Sequence, residues 1–552
     1  MSKHTVDPSP SKQPTLPIPQ LDLLSLFRSI ASNNKDKTIS YFKGKKKTYG
    51  EIENEVNRLA HAFKHLGVKK GDRIAVILPN CPQFIVTFFA AQSLGAIFTA
   101  FSPLYTSHEI RQRLNDAKPK ILVTLNLFID KIKIIQDDIS VDHIIISSIA
   151  RELPSSKKYL YKLITATKPS SLSNSFNYSS LLASQDDSPI STPIDPTEDI
   201  AILQYTGGTT GKAKGAMLTH RNLIAQTVIL HYWLSKLPTQ PQGQIRIAGA
   251  LPYSHIFGMT SSFLWPISEG AAIFLIPDPR QLEEVMKLID TKKIHFLNCV
   301  PIFFQKIATH AKLSKYDLSS LLLCISGGES LPKETVDIFE KNTGAMLIEG
   351  YGLTEASPVT HINPPTKSER RIGSIGVTLP NIQAKIVNSE TGLEITDPEL
   401  PGELLVKGPS IMKGYWRNEK ESENAFQEGW LKTGDIAIRE ADGYYRIIDR
   451  LKDMIIISGY KVWPNEVEDV LHTHPSILEA AIVGITSSLG TKLKAALVVK
   501  PGHQPLTLDE IKEYCTQFLA PYKIPKLIEY HAELPRSSVG KVLRRELRNE
   551  PT

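Results

Sequence analysis

The stretch Tyr205-Thr-Gly-Gly-Thr-Thr-Gly-Lys-Ala-Lys-Gly215 follows a short apolar run, residues 200–204, that is typical of a buried strand. Its four glycines can adopt φ > 0 and carry no Cβ, so successive backbone N–H groups can turn toward one anion. Threonine hydroxyls and the lysines Lys212 and Lys214 add hydrogen-bond donors and mobile positive charge. The pattern favours a loop that binds nucleotide phosphates over a flexible surface loop.

The spacing of this loop excludes a phosphate loop of the Walker type. That motif needs a glycine five residues before its Gly-Lys pair and a Ser or Thr directly after the lysine. Here those two positions hold Thr206 and Ala213.

The segment resembles the phosphate-loop signature of the adenylate-forming superfamily of acyl-CoA synthetases, luciferases and peptide-synthetase adenylation domains. The flanking Leu203-Gln204 and Gly215–Asn222 are similar to those of long-chain fatty acid–CoA ligases, and the resemblance covers nearly the whole chain. It implies that ATP, with Mg²⁺, activates a fatty acid to an acyl-adenylate, which coenzyme A then takes up with release of AMP and pyrophosphate. It also implies that this loop binds ATP through Thr206, Gly207, Gly208, Thr209, Thr210, Gly211 and Lys212.

A second glycine-containing motif, Gly350-Tyr-Gly-Leu-Thr-Glu355, follows a predicted strand over 345–349. A tyrosine offers a flat face to adenine, a threonine can donate to a phosphate, and a carboxylate is a hard oxygen ligand suited to Mg²⁺. Glu355 alone could equally be a carboxylate at a helix N-terminus. Similarity to the family's Tyr-Gly-x-Thr-Glu motif implies that Glu355 binds the metal together with Thr206, and that both are catalytic. The residues then implied to bind ATP are Gly350, Tyr351, Gly352 and Thr354, with Gly327, Gly328 and Glu329 from the similar adenine-bordering loop.

Further motifs lie toward the C-terminus. Gly429-Trp-Leu-Lys-Thr-Gly-Asp435 resembles the family motif whose aspartate binds the ribose hydroxyls, although an isolated Asp often caps a turn. The charged segment Asp449-Arg-Leu-Lys-Asp453 looks like the family hinge, with Lys452 as the pivot. The resemblance also implies that Ile447 and Arg450 belong to the nucleotide site.

Two loops in the last hundred residues carry the remaining implied chemistry. Ser458-Gly-Tyr-Lys461 resembles the loop of the thioester site, which assigns Gly459, Tyr460 and Lys461 to coenzyme A. Pro535–Lys541 resembles the adenylation loop, in which Lys541 would reach the carboxylate and the α-phosphate as a point charge on a long stem. Arg544, Arg545 and Arg548 leave open a lysine at the start of a basic helix.

The acyl pocket is implied by the motif Pro252-Tyr-Ser-His-Ile-Phe-Gly258. His255 would border the substrate carboxylate as a catalytic residue, and a packed core histidine is the alternative. The apolar residues 259–265 that follow suit either a fatty tunnel wall or an ordinary core helix.

The order of elements predicts an α/β fold. Helices alternate with buried strands along most of the chain, which is typical of layered α/β domains. We expect a disordered lead over 1–20, a large N-terminal domain over 21–449, and a small mobile α+β C-terminal domain over 450–552 with its hinge at 450–453. Residues 380–449 are expected to form a β-rich subdomain of the large domain.

Composition restricts location and partners. The 552 residues carry a net charge of +7 and four scattered cysteines, which indicates free thiols in a reducing compartment and gives no reason to expect nucleic acid binding. The uncharged run over 84–101 favours a buried helix followed by a strand over a transmembrane segment. With no signal-peptide pattern, a cytoplasmic protein is expected. Residues 157–164 could form a basic amphipathic helix at a membrane surface, but the composition favours a solvated insertion loop. Peripheral membrane contact and a homodimer are left open.

Two other functions remain open on the sequence. One is another enzyme of the superfamily, either an aryl-CoA ligase or an acyl-AMP ligase that loads a carrier protein. The other is a nucleotide-binding interaction protein whose site is catalytically dead. The presence of every catalytic residue type favours an enzyme.

Overall fold

Two compact units make up the part of the chain that the structure describes. The computed structural model describes residues 13–156, 172–206, 213–457, 460–487, 490–537 and 540–548. The first unit contains residues 12–383 and 407–429, and the second contains residues 384–406 and 430–552. The second unit therefore combines part of the predicted β-rich region with the C-terminal residues. The domain limits and the hinge proposed from the sequence stay predictions.

Strands and helices alternate through the first unit, as the sequence predicts. The strands before residue 380 are β1 (Thr38–Phe42), β2 (Lys45–Thr48), β3 (Arg73–Ile77), β4 (Ile97–Ala100), β5 (Ile121–Leu125), β6 (His143–Ser147), β7 (Ser175–Asn177), β8 (Ile200–Thr206), β9 (Lys214–Thr219), β10 (Arg246–Gly249), β11 (Ala272–Leu275), β12 (Phe296–Cys299), β13 (Leu323–Gly327), β14 (Met346–Gly352), β15 (Val359–Ile362) and β16 (Val377–Thr378). The helices are α1 (Leu23–Asn33), α2 (Tyr49–His65), α3 (Pro82–Ser93), α4 (Ser107–Ala117), α5 (Ile129–Lys133), α6 (Tyr178–Ala183), α7 (His220–Leu234), α8 (Ile256–Met259), α9 (Trp265–Ser268), α10 (Leu282–Lys292), α11 (Pro301–Ala308), α12 (Lys333–Thr343) and α13 (Glu419–Ala425).

Two largely parallel sheets organise these elements. One has the order β7-β6-β5-β3-β4-β8-β9 and is parallel except for the final β8–β9 hairpin. The other has the order β16-β15-β14-β13-β12-β10-β11-β1-β2, with parallel pairings from β14 to β1 and antiparallel ones at both ends. Parallel strands need crossover connections, which the intervening helices supply. This architecture confirms the α/β fold class.

The uncharged run over 84–101 is buried in the core of the first unit. Every residue of α3 is buried, and so is every residue of β4. The Phe84 and Phe88 rings pack edge-to-face on Phe98, with centroids 5.4 and 5.0 Å apart. Among the described residues, no helix is both long enough and apolar enough to cross a membrane. Residues 157–164, for which the sequence leaves a basic helix or a solvated loop open, lie outside the described residues.

The second unit is smaller and combines strands with short helices. The strands after residue 380 are β17 (Gln383–Val387), β18 (Gly402–Lys407), β19 (Phe426–Gln427), β20 (Trp430–Arg439), β21 (Tyr445–Arg450), β22 (Ile455–Ile457), β23 (Tyr460–Val462), β24 (Ile477–Ser487), β25 (Gly490–Val499) and β26 (Leu527–Tyr530). Of these, β19 belongs to the first unit. Antiparallel pairing joins β18 to β20 and β20 to β21, and a separate sheet has the order β24-β25-β26. The helices are α14 (Pro464–His472) and α15 (Leu508–Thr516).

Candidate active site

The predicted phosphate loop begins at a β-hairpin. Strand β8 runs through Tyr205 to Thr206, so the strand is two residues longer than the apolar run predicts, and Thr206 pairs with Lys214 of β9. The Thr206 hydroxyl is half-buried and donates to the Lys214 carbonyl oxygen at 3.4 Å. The other residues predicted to bind ATP here, Gly207, Gly208, Thr209, Thr210, Gly211 and Lys212, lie outside the described residues.

Lys214 does not supply the mobile positive charge expected of it. Its ammonium pairs with the Glu421 carboxylate of α13 and lies 5.2 Å from the centroid of the Tyr415 ring. A carboxylate and an aromatic face together hold an ammonium in place, so it is not free to move toward a ligand. The sequence could not indicate this, because Glu421 is 207 residues away.

Glu355 lies in a short turn after β14. It occupies the 3₁₀ turn Thr354–Ala356, and its Oε1 accepts a hydrogen bond from the Tyr415 hydroxyl at 2.7 Å. Its backbone carbonyl accepts from the Met412 N–H at 2.8 Å. The carboxylate is thus fixed on one oxygen by a side chain that the sequence analysis did not single out.

The sequence predicts that the Gly350-Tyr-Gly segment follows a strand. In the structure these three residues instead form the end of that strand. Strand β14 continues to Gly352 and pairs antiparallel with β15, which sets Tyr351 opposite His361 with ring centroids 5.9 Å apart. A Cβ on Gly352 would lie 2.0 Å from the Pro358 carbonyl oxygen, so the close strand approach requires glycine. Burial lowers the pKa of His361 to about 3, which keeps this neighbour of Tyr351 neutral.

The Ser326-Gly-Gly-Glu329 segment lies beside this motif. Gly327 is the last residue of β13 and pairs in register with Gly350 of β14. A Cβ on Gly327 would approach the Phe257 ring to 3.0 Å. Gly328 and Glu329 follow at the carboxyl end of the sheet, with Glu329 half-buried. In open parallel sheets, ligands bind outside the carboxyl ends of the strands.

His255 caps a helix instead of filling the core. Its ring is partly exposed, and Nδ1 accepts from the Phe257 N–H at 3.3 Å at the start of α8. The apolar residues after it are buried and include a π-helical turn, Thr260–Leu264. The Phe263 ring packs 5.2 Å from Tyr253 and 5.2 Å from Phe88, within the aromatic core.

The second unit brings together Asp435 and Arg450. They face each other across β20 and β21, with Arg450 Nε 3.2 Å from Asp435 Oδ1. Asp435 is nearly buried, whereas the guanidinium is half-exposed. Ile447 is partly buried on β21, opposite Ala437. Lys452 is exposed in the 3₁₀ turn Leu451–Asp453.

The residues predicted to contact coenzyme A lie in a small hairpin. Tyr460 and Lys461 belong to β23, which pairs antiparallel with β22, while Gly459 lies outside the described residues. The Tyr460 side chain is 57% exposed and stacks on Tyr522, with ring centroids 4.5 Å apart. An exposed, stacked aromatic ring is suited to contact a ligand.

Lys541 lies in a turn closed by its own backbone. Its carbonyl oxygen accepts from the Ser537 N–H at 2.7 Å, and its N–H donates to the Ser537 hydroxyl at 3.2 Å. The basic residues that follow form a 3₁₀ turn, Arg544–Arg548, so Lys541 precedes that turn and is not its first residue.

Sequence comparison places these residues in a known family. The family described as AMP-binding enzyme matches residues 27–416, and its C-terminal domain matches residues 466–541. The chain belongs to the AMP-binding enzyme family.

Relatives of known name extend over almost the whole chain. A long-chain-fatty-acid–CoA ligase of Bacillus subtilis is 39% identical, covering 97% of this chain and 96% of the relative. One from Haemophilus influenzae is 32% identical, covering 96% of this chain and 94% of the relative. The crystal structure of an anthranilate CoA ligase in complex with anthranoyl-AMP matches with a TM-score of 0.84 at 26% identity, covering 97% of each chain.

The oxygen donors of the candidate site would fit a magnesium ion bound together with a nucleotide. Among the described residues, no group of three or more His, Cys, Asp or Glu side chains could hold a metal alone. Protein Mg²⁺ sites commonly use one or two carboxylates together with substrate phosphates. Glu355 and Thr206 offer such a partial set, a carboxylate and a hydroxyl.

Proposed function

We propose that this protein is an ATP-dependent, AMP-forming fatty acid–CoA ligase. The observation that carries the proposal is the 39% identity, over nearly the full length, to a relative named long-chain-fatty-acid–CoA ligase. The hairpin at Thr206, the held carboxylate of Glu355 and the Asp435–Arg450 pair add support. They supply the hydroxyl, metal-ligand and diol-binding groups that adenylation needs.

In the first half-reaction, the fatty acid carboxylate attacks the α-phosphorus of ATP, forming acyl-AMP and releasing pyrophosphate. An anion approaches a polyanion, so catalysis depends on neutralising charge. We assign the triphosphate to Thr206 and the glycine-rich loop after it, and the ribose hydroxyls to Asp435. Lys541 stabilises the carboxylate and the α-phosphate as they react. Glu355 and Thr206 would hold Mg²⁺, which would supply positive charge to the phosphates.

In the second half-reaction, the thiol of coenzyme A attacks the acyl carbonyl and AMP leaves. The mixed anhydride is sensitive to water, so the site must exclude solvent while admitting a long thiol arm. We assign the thiol path to Gly459, Tyr460 and Lys461. A rotation about Lys452 would withdraw Lys541 between the two halves.

Substrate class separates this proposal from the rivals within the superfamily. Solved structures similar to this one include an anthranilate and a benzoate CoA ligase, at 26% and 23% identity. The fatty acid ligases are more similar to this chain, at 32–39% identity. Peripheral membrane contact and homodimer formation are compatible with a fatty acid substrate, and we retain both as proposals.

An AMP-release assay tests the proposed function. Purified protein is supplied with ATP, Mg²⁺ and free acids of increasing chain length, together with benzoate and anthranilate, each with and without coenzyme A. We expect AMP release that requires coenzyme A and is greatest for fatty acids. Greater turnover of aromatic acids would indicate an aryl-CoA ligase, and pyrophosphate release without thioester an acyl-AMP ligase. No AMP with any acid would favour a dead site.

A further inference from the structure

A short segment, Met412–Trp416, connects the two parts of the candidate site in the first unit. The Met412 N–H donates to the Glu355 carbonyl oxygen at 2.8 Å, and the Trp416 N–H donates to the Gly215 carbonyl oxygen at 2.8 Å. Between them, the Met217 N–H donates to the Gly414 carbonyl oxygen at 2.9 Å. The segment therefore pairs with β9, the exit strand of the phosphate loop, and also fixes the turn that carries Glu355.

The Tyr415 side chain strengthens this connection. Its hydroxyl donates to Glu355 Oε1 at 2.7 Å. Its ring lies under the Lys214 ammonium, which is itself paired with Glu421. Its backbone N–H donates to the Ser422 hydroxyl at 2.8 Å.

We propose that Tyr415 is a positioning residue that holds the Glu355 carboxylate in the orientation in which it binds a nucleotide-bound magnesium ion. A free glutamate side chain samples several rotamers, and ordering it costs conformational entropy at the moment of binding. The Tyr415 hydroxyl is itself fixed by contacts of its ring and backbone. It can therefore order the Glu355 carboxylate before the cation binds. The Tyr415 hydrogen bond uses one lone pair of Oε1, so the carboxylate keeps acceptor sites that could bind a cation. The inference rests on the proposed function.

The central test is the variant Tyr415→Phe, which keeps the ring and deletes only the donor. The measurement is binding of Mn²⁺ with ATP, followed by the electron paramagnetic resonance signal of free Mn²⁺. Losing a hydrogen bond to a charged group typically weakens the dependent interaction roughly tenfold or more. We expect Mn²⁺ to bind the ATP complex of the Tyr415→Phe variant about tenfold more weakly than that of the wild-type protein. ATP binding measured in EDTA, without a divalent metal, should be unchanged.

Two further variants separate positioning from general loss of structure. Tyr49→Phe is the matched control, because the Tyr49 hydroxyl also makes one hydrogen bond, to the Ala271 carbonyl oxygen at 2.9 Å, away from Glu355. It should lower the melting temperature without weakening Mn²⁺ binding. Glu355→Gln should weaken Mn²⁺ binding, and adding Tyr415→Phe to it should have no further effect, because the two residues act through one carboxylate.

Several outcomes would overturn the inference. They are unchanged Mn²⁺ binding by Tyr415→Phe, an equal loss of ATP binding in EDTA, and additive effects of Tyr415→Phe and Glu355→Gln. Failure of the ligase assignment can be distinguished from failure of this inference. If the wild-type protein binds Mn²⁺ and ATP but releases no AMP, the effect of Tyr415→Phe on Mn²⁺ binding can still be measured.

Discussion

At the scale of single residues, Lys541 is the side chain whose proposed role is easiest to isolate. An ammonium on a long side chain can neutralise charge in adenylation and has no necessary role in thioester formation. Lys541→Ala should therefore lower the rate of pyrophosphate release by about a hundredfold or more, as removal of one electrostatic group commonly does. Conversion of supplied acyl-AMP and coenzyme A to thioester should stay near the wild-type rate. Pre-steady-state assays of the two half-reactions measure both.

The control for Lys541 is another lysine of the same unit. Lys526 is exposed, and Lys526→Ala should leave both half-reactions unchanged. Equal losses in the two half-reactions of Lys541→Ala would contradict separate roles for the two chemical steps.

Residue types and spacing predicted the chemistry of the site but not its internal contacts. The glycines, Thr206 and Glu355 could be singled out because each belongs to a local motif. Tyr415 could not, since its significance depends on a carboxylate 60 residues earlier in the chain. A lysine near a glycine-rich loop predicts mobile positive charge for Lys214. Only the fold shows that α13 supplies a counter-charge.

At the scale of elements, a hydrogen bond to His220, the first residue of α7, connects α1 to α7. The His220 Nδ1 accepts from the Leu23 N–H at 3.2 Å, at the start of α1. Burial lowers the pKa of His220 to about 4, although the negative charges of Asp22 and Asp199 act to raise it. The folded state therefore takes up this proton less readily than the unfolded chain, whose histidine has a pKa near 6.5. The neutral ring is the form that can accept the bond.

This contact predicts a specific dependence of stability on pH. The His220 contribution is complete above about pH 6.5 and is lost as the pH falls toward 4, at up to about 1.4 kcal/mol per pH unit. His220→Gln retains an acceptor but cannot titrate, so its free energy of unfolding should fall less steeply over that window. Urea unfolding at pH 7, 6 and 5 measures both slopes. Parallel slopes in the two proteins would contradict the assignment.

Element types could be predicted where one local pattern decides them. Helix α2 spans Tyr49–His65, where an apolar stripe, the capping Thr48 and the glycine at position 67 all act locally. The extension of β14 through Gly352 could not be predicted, since it depends on pairing with β15 and on the close approach of Pro358. The same holds for β8, which pairing with β9 extends to Thr206.

At the scale of the whole molecule, the proposed residues are divided between the two units. Thr206 and Glu355 belong to the first unit, and Asp435, Lys452 and Lys541 belong to the second. Family membership supplied the proposal that these groups serve one nucleotide at different stages. Neither composition nor periodicity in the sequence could indicate a change of conformation, because both describe a single folded state.

The proposed rotation about Lys452 would cost free energy, because a hydrogen bond within the second unit spans the proposed hinge. The nearly buried Asp449 carboxylate accepts from the Asn465 N–H at 2.8 Å, across the proposed hinge, and a rotation there must break this bond. Lys452→Pro fixes φ, and proline is tolerated in the first turn of a helical segment such as Leu451–Asp453. We expect this variant to form acyl-AMP at the wild-type rate and to convert it to thioester at least tenfold more slowly, because one backbone dihedral no longer turns.

Lys452→Ala distinguishes the backbone from the side chain. It removes the ammonium and leaves φ free, so both half-reactions should stay close to wild type if the residue serves as a pivot. Rapid-quench measurement of acyl-AMP and thioester in single turnovers gives the two rates directly. If Lys452→Ala slows the thioester step as much as Lys452→Pro does, the charge of Lys452 and not its backbone freedom is what the second step requires. If neither variant slows that step, the pivot lies elsewhere in the chain.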